Sequence, residues 1–547
     1  MTAITRRTAF KLLGAGAAAA LTGPWLAGCG GSGGDRAAIG NAGTSQAPWP
    51  TYTAAEVPPP DLVSKVSGGL NGYFTYPDKL VTSVASAPGD GSAVTATLMT
   101  YSPPPAPVGQ NKLWTAINEA MNADIRMNLV PAAEYQNKLA TIMAGGELTD
   151  MMLVTAAPRI REFVASQCAD LTEFLSGDAI KDYPNLANLP TYAWQAMGRI
   201  GGKIYGIPIV RARMTNVLHV NRDHLDAVGA TDDWTMEQFA TAVAEERGGS
   251  FYPLGTFDSE WLVKNYFAGA LGAPNQWAVD GGGAFSSTYA TPEFRAAIEM
   301  SRKAFADGLF HPASVTAGQS DMFNEYYAGN VGALSGSFAN YFNGTYQGRI
   351  GDTFTTDVGF PFSPGQTSWL FGGLFGYVVF KKSDPERLKM LLRIADFAAA
   401  PYGSKENELL NYGVEGVHFT RTANGPEPTK LAETESANTV PIGKYLGDAP
   451  DVIQCPGDKA VTQRAFDVQE ALQPKGLVDP SLGLASATQD QKGVALNKAV
   501  SDAISAIVTG RADMSSWDAA VSAFRSGGGD TIATELATEY SAAQSSS

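Results

Sequence analysis

Between Val94 and Val154 two residue periods alternate, and that alternation restricts the fold more than any other stretch. Val94–Met99 (VTATLM) and Asp150–Val154 (DMMLV) are short runs of strand length, and Ile125–Val130 (IRMNLV) alternates apolar with polar. Between them, Asn111–Asn122 places Leu113, Trp114, Ile117 and Met121 on one helical face, and Glu134–Ala144 repeats Tyr135, Leu139 and Ile142 at helical spacing. The order is β-α-β-α-β. Crossovers of one hand turn that order into a parallel sheet covered on both faces, with ligands received beyond the carboxyl ends of the strands. Thr100–Gln110 (TYSPPPAPVGQ) and Thr155–Arg159 (TAAPR) are the loops at those ends. Many enzymes share this topology, so it leaves the activity open.

The chain continues in the same idiom. Asn216–Asn221 (NVLHVN) reads as a strand, His224–Gly229 as a helical turn stopped by glycine, and Thr235–Gln238 as a capping box that opens a helix at Met236. Phe251–Gly255 is a strand and Glu260–Leu271 a helix. Thr291-Pro292 caps a helix that runs to Asp307-Gly308, and Gln319–Ala328 leads into the strand Val331–Ser335. Asp357–Pro361 follows, then Gly376–Lys381 (GYVVFK), feeding a helix that ends near Pro401. No internal repeat is visible.

The first residues read as an export signal. Arg6 and Arg7 precede an apolar run, Leu12–Leu26, that is too short and too rich in Ala and Gly for a membrane span of ~20 residues. The arginine pair fits a twin-arginine address, while Ala9 departs from the usual pattern and keeps Sec export open. Leu26-Ala27-Gly28-Cys29 closes the segment as a lipobox, so Cys29 is the expected site of lipidation. A diacylglyceryl unit supplies the two chains that stable anchoring requires. Gly30–Gly34 and the Pro- and Ser-bearing stretch to about Pro60 read as a flexible tether. Arg6, Arg7 and Lys11 are the only charges in the first 28 residues, so their removal takes the formal charge from −15 to −18. That balance disfavours nucleic acid or an anionic bilayer as partner. About 490 residues then remain, enough for two or three domains. Cys168 and Cys455 show no spacing that demands a bridge, and free buried thiols are expected.

Gly202-Lys-Ile-Tyr-Gly-Ile-Pro208, a strand ending in Asn221-Arg-Asp223, a short helix and then Asp233-Trp-Thr235 opening another helix resemble the family 1 extracellular solute-binding proteins of ABC importers. Asn411–His418 (NYGVEGVH) and the final segment Trp517–Tyr540 resemble their large oligosaccharide- and alginate-binding lipoprotein subgroup. The resemblance implies a two-lobed α/β fold of the type II periplasmic-binding kind. Each lobe would be a mainly parallel sheet flanked by helices, with the ligand cleft between lobes. On that pattern residues 1–28 are the signal and 29–60 the tether. Residues 61–210 form the first lobe, 211–350 the second, 351–402 a return to the first, and 403–547 the C-terminal part of the second.

The resemblance also places ligand contacts. Aromatic faces suit the apolar side of a pyranose ring, and sugar-binding members carry them at positions matched here by Trp261, Phe338 and Tyr341. Tyr101 ends the first strand and Arg159 follows the third. Arg211 and Arg213, two residues apart before the crossover strand, would point the same way and grip a uronate or a row of hydroxyls. Trp369, beside Gly372-Gly373, is a further candidate.

Other chemistry finds little support. Four histidines and three cysteines lack metal-ligand spacing. Gly198–Lys203 is followed by Ile204 where a phosphate loop needs Ser or Thr. Glu245–Gly249 lacks the alternating oxygen ligands of a calcium loop. Asp258 and Glu260 stand at a helix start, where acids ordinarily favour the dipole, so no catalytic pair is assigned. The expectation is therefore a monomeric, lipid-anchored carbohydrate receptor on the outer face of the cytoplasmic membrane. It would serve ABC permease subunits, close about a hinge and carry no cofactor, metal or enzyme activity. A secreted carbohydrate-active enzyme and a sensory lipoprotein are the alternatives.

Overall fold

The computed structural model describes residues 39–145, 147–227, 229, 241, 244–245, 248–257, 263–359 and 367–545. Cys29, the capping box at Thr235–Gln238, Asp258, Glu260 and Trp261 lie outside them.

Two sheets organise the chain. The first contains β1 (Ala93–Thr100), β2 (Asp124–Pro131), β3 (Met151–Val154) and β4 (Gly206–Val210). The second contains β5 (Asn216–Asn221), β6 (Tyr252–Gly255), β9 (Val331–Ser337) and β10 (Thr356–Gly359); between its strands lie a hairpin, β7 (Trp277–Val279) and β8 (Phe285–Ser287). After the short β11 (Ser368–Trp369), β12 (Leu374–Phe380) rejoins the first sheet. The orders are β2-β1-β3-β12-β4 and β10-β5-β9-β6.

The helices that cover the first sheet form where the apolar period placed them. Lys112–Met121 is capped by Asn111, whose side chain accepts from Trp114 N–H at 2.8 Å, and it buries Leu113, Trp114, Ile117 and Met121. Pro385–Ala398 starts at Asp384, whose carboxylate accepts from Arg387 N–H at 3.0 Å. One core surrounds the first sheet through Leu98, Ile125, Trp194 and Phe380, and another surrounds the second through Val217, Phe294, Phe338 and Trp517.

Each sheet holds one reversed strand, and the chain's path explains both. β4 runs out to the facing edge of the first sheet, the chain crosses over 211–215, and β5 must then start at the facing edge of the second. It consequently runs antiparallel to both neighbours, with Asn216 opposite Ser337. β12 enters the first sheet from the same edge and runs antiparallel to β3 and β4, with Leu374 opposite Val210. The β1–β2, β1–β3 and β6–β9 ladders are parallel. Two of the three ladders in the second sheet are thus antiparallel, because its reversed strand is internal.

The crossing segments hydrogen-bond to each other: Arg211 N–H donates to Gly373 O at 3.0 Å and Phe371 N–H to Arg213 O at 2.8 Å. Gly373 has φ +75°, and a Cβ there would meet the Tyr192 ring at 2.3 Å, so glycine is required. A third crossing, 447–452, runs between Leu446 in the first core and Ile453 in the second.

Two expected boundaries move. Residues 405–446 stay with the first core, through Leu410, Val440, Ile442 and Tyr445, rather than starting the second lobe at 403. The tether expected to reach Pro60 is a fixed arm from Ile39 onward. Ile39 is buried, Asn41 donates from Nδ2 to Glu539 Oε2 at 3.0 Å, and Arg199 lies 3.6 Å above the Trp49 ring. Composition suggested a loose chain, but Ile39 and Trp49 carry enough apolar surface to seat it. Cys168 and Cys455 are free and buried, and burial pushes their thiols up to about 12 and about 11.

Candidate functional site

Strand direction brings the carboxyl ends of β1, β3 and β4 to one edge of the first sheet, and those of β6, β9 and β10 to the matching edge of the second. A cleft of about 400 Å³ lies there. Arg211 and Asp448 line it from the crossings, and Asn411, Lys444 and Tyr445 from the first core's side. Ser337, Asn340, Phe342 and Asn343, at the end of β9, line it from the second. Met214, Thr215 and Asp451 belong to the crossings.

The Arg211 guanidinium is the centre of this arrangement. It donates to the Asp448 carboxylate and to Val210 O, and it lies 5.0 Å from the centre of the Phe375 ring. Phe375 and Tyr445 stand 5.4 Å apart, tilted by 31°. Tyr101, 72% exposed at the end of β1, is near enough for its phenol to feel the Arg211 charge and for Tyr445 to feel Tyr101. Burial pushes the Asp448 carboxyl up to about 7; Arg211 and Lys444 pull it down, and Asp451 pushes it further up. Aromatic rings, amides and one neutralised ion pair therefore meet in a space that opens to solvent. Such a surface binds by stacking and hydrogen bonding.

Of the residues expected at the site, Arg211 lines the cleft and Tyr101 stands beside it. Arg213 does not point the same way as Arg211. The chain bends at Arg213-Met214, and the Arg213 guanidinium stacks over Tyr192 at 4.8 Å, in the wall of another cavity. Arg159 has φ +61° and its side chain turns to Glu162, with Nε and Nη2 at 2.9 and 2.6 Å from Oε2. Phe338 and Tyr341 are core residues, 1% and 3% exposed. Phe338 packs edge-on to Phe342, and the Tyr341 hydroxyl reaches Asp357, which Arg464 holds with two hydrogen bonds. Trp369 donates from Nε1 to Ala273 O at 2.7 Å and packs on the second core beside Phe294, away from the cleft lining.

Sequence reasoning passed over Phe375, Lys444, Tyr445, Asp448 and Asp451. The one local signal was Lys444–Asp451 (KYLGDAPD), a polar and aromatic loop with Gly and Pro that breaks an apolar helical turn.

The sequence profile of the bacterial extracellular solute-binding proteins matches residues 112–404, more than half of the chain. The chain belongs to that family. This solute-binding protein is 23% identical over 436 residues to the polygalacturonan/rhamnogalacturonan-binding protein YtcQ of Bacillus subtilis (strain 168), across 77% of this chain and 86% of the relative. It is 21% identical over 462 residues to lipoprotein LipO of the same strain, across 79% and 89%. Among solved structures, the alginate-binding protein AlgQ2 without calcium ion superposes with a TM-score of 0.61 at 13% identity, covering 84% of this chain and 99% of that one. The N-glycan transport solute-binding protein of Streptococcus pneumoniae gives 0.60 at 15%, covering 82% and 98%. The solute-binding protein therefore shares their two-lobed α/β fold, and its two sheets are the two lobes.

Proposed function

We propose that this solute-binding protein is a lipid-anchored receptor that closes about a carbohydrate, an oligosaccharide, and passes it to an ABC permease without breaking bonds. The observation that carries the reading is the make-up of the cleft. Phe342 and Tyr445 supply rings, with Phe375 packed on Tyr445 and Tyr101 beside the cleft; Asn340, Asn343 and Asn411 supply amides, and the Arg211–Asp448 pair supplies a donor and an acceptor. The two sides of the cleft belong to different cores, so a ligand touching both favours the closed arrangement over the open one. The relatives support the substrate class: one is named for polygalacturonan and rhamnogalacturonan, and related structures are described as binding alginate or as complexed with kestose. A lipoprotein among the relatives supports Cys29 as the anchor.

Calorimetric titration of the purified, soluble Cys29→Ser protein with a panel of galacturonan, alginate, fructan and N-glycan oligosaccharides tests the reading. Saturable binding of at least one oligosaccharide, recovered chemically intact, is expected. Absence of binding across the panel, or cleavage of a bound member, overturns it.

A further inference from the structure

The second large cavity in the crossing region, about 700 Å³, meets the cleft at Asp451 and has a different chemistry. Its walls come from the fixed arm (Tyr52), the first core's surface (Asn188, Tyr192, Tyr402) and two crossing segments (Arg213, Asp451). Among the described residues, Arg213 and Asp451 are the charged ones on its lining, and the Asp451 carboxyl also feels Arg211 and Lys444 in the cleft. Neither forms an ion pair with the other, or with any other described residue. Arg213 stacks on Tyr192, and its Nε is shut from solvent and meets no acceptor among the described residues. Arg211 is different, since Asp448 already neutralises it.

We propose that this cavity is a second binding site, for a small sugar acid of hexuronate size. An unpaired guanidinium held flat by a ring is a carboxylate receptor. Asp451 can accept from sugar hydroxyls, and Tyr52, 52% exposed, adds an aromatic ring to the lining. The volume lies in the ordinary range for small-molecule pockets, about 300–1,000 Å³. Carboxylate at Arg213, hydroxyls at Asp451 and ring at tyrosine match the three chemical parts of a hexuronate. A neutral hexose lacks the first. The inference rests on the observed cavity and adds to the cleft reading, with which it shares Asp451 and no other lining residue.

The test is titration of the protein with D-galacturonate and, separately, D-galactose, followed by calorimetry and by the tyrosine ring signals in NMR spectra. Galacturonate should bind and galactose should not. Arg213→Met, which keeps the aliphatic stem, should weaken galacturonate roughly tenfold or more, the scale of a lost charged hydrogen bond. Tyr52→Ala, on the exposed arm, should weaken it as well, so the result does not depend on one variant folding. Tyr101→Ala, in the cleft, should leave it unchanged. No galacturonate binding, equal binding of galactose, or loss in Tyr101→Ala with retention in Arg213→Met overturns the proposal. Oligosaccharide binding at the cleft is read on the same protein, so failure here leaves that reading standing, and the converse holds.

Discussion

Replacing Tyr101 with alanine separates binding from folding more cleanly than any other change in the cleft. The ring is 72% exposed at the end of β1 and is absent from either large core, so its loss should alter stability by no more than ~0.5 kcal/mol. If a sugar ring lies on it, the loss of stacking should be ~1–3 kcal/mol, taking bases stacked on aromatic side chains as the guide. That corresponds to roughly fivefold to a hundredfold in Kd. Phe338→Ala is the matched control. Phe338 is 1% exposed and packs against Phe342, so its truncation should cost ~3–5 kcal/mol of stability. The assay is a pair of measurements on each variant: calorimetric titration with the oligosaccharide that binds best, and a thermal melt without ligand. Tyr101→Ala should lose affinity at an unchanged melting temperature, and Phe338→Ala should lose melting temperature. Undiminished affinity in Tyr101→Ala would refute the placement of the site on this sheet edge. A large drop in its melting temperature would refute the reading of Tyr101 as a free ring.

Three further outcomes follow from the same structure. Asp448, raised to about 7 in the fold against ~3.9 unfolded, binds a proton that the unfolded chain has released between those values, so its contribution to ligand-free stability, read as the difference between the native protein and Asp448→Asn, should fall as pH rises from 4 to 7. Binding of a neutral oligosaccharide should strengthen over pH 6–8 as the carboxylate becomes a full acceptor; Asp448→Asn should flatten that profile, and an unchanged slope would remove Asp448 from the site. His219 is wholly buried with Nε2 3.1 Å from Ser337 O, and burial lowers it to about 3, so it stays neutral while the unfolded imidazole charges. The contribution of His219 to stability should therefore decline as pH falls from ~6.5 towards 3, by up to ~5 kcal/mol, and the change in urea midpoint between pH 7 and 4 should lack that contribution in His219→Gln. Cys29→Ser should move the exported protein from the membrane to the soluble fraction, and persistence at the membrane would end the lipid-anchor reading.

What could be read from sequence was whatever the chain decides locally. Leu113, Trp114, Ile117 and Met121 share a face because they are three and four residues apart, and no distant partner is needed to know it. Phe338 and Tyr341 went to the core for a non-local reason. Asp357, from a later strand, accepts from the tyrosine hydroxyl and is itself held by Arg464 from a later helix, and nothing near position 341 records that. Tyr445 and Asp448 face Arg211 from more than two hundred positions away, so the pairing of charge with charge appears only after folding. The parity rule that put Arg211 and Arg213 on one side holds for extended chain, and the bend at Arg213-Met214 breaks it.

The arm seated from Ile39 also sets the length of the leash. Under the proposed lipidation of Cys29, ten residue steps would separate lipid from Ile39, at most about 35 Å of chain, where a tether free to Pro60 would allow about three times that. As a flexible coil the end-to-end distance grows with the square root of length, and local concentration falls as the three-halves power of length. For a chain obeying that law, ten steps in place of thirty-one correspond to a local concentration about fivefold higher at the proposed anchor. By fixing Asn41 to Glu539 and laying Trp49 under Arg199, the fold converts what composition presents as slack into order, and under the proposed anchoring the search for a permease would be confined to a thin layer above the bilayer.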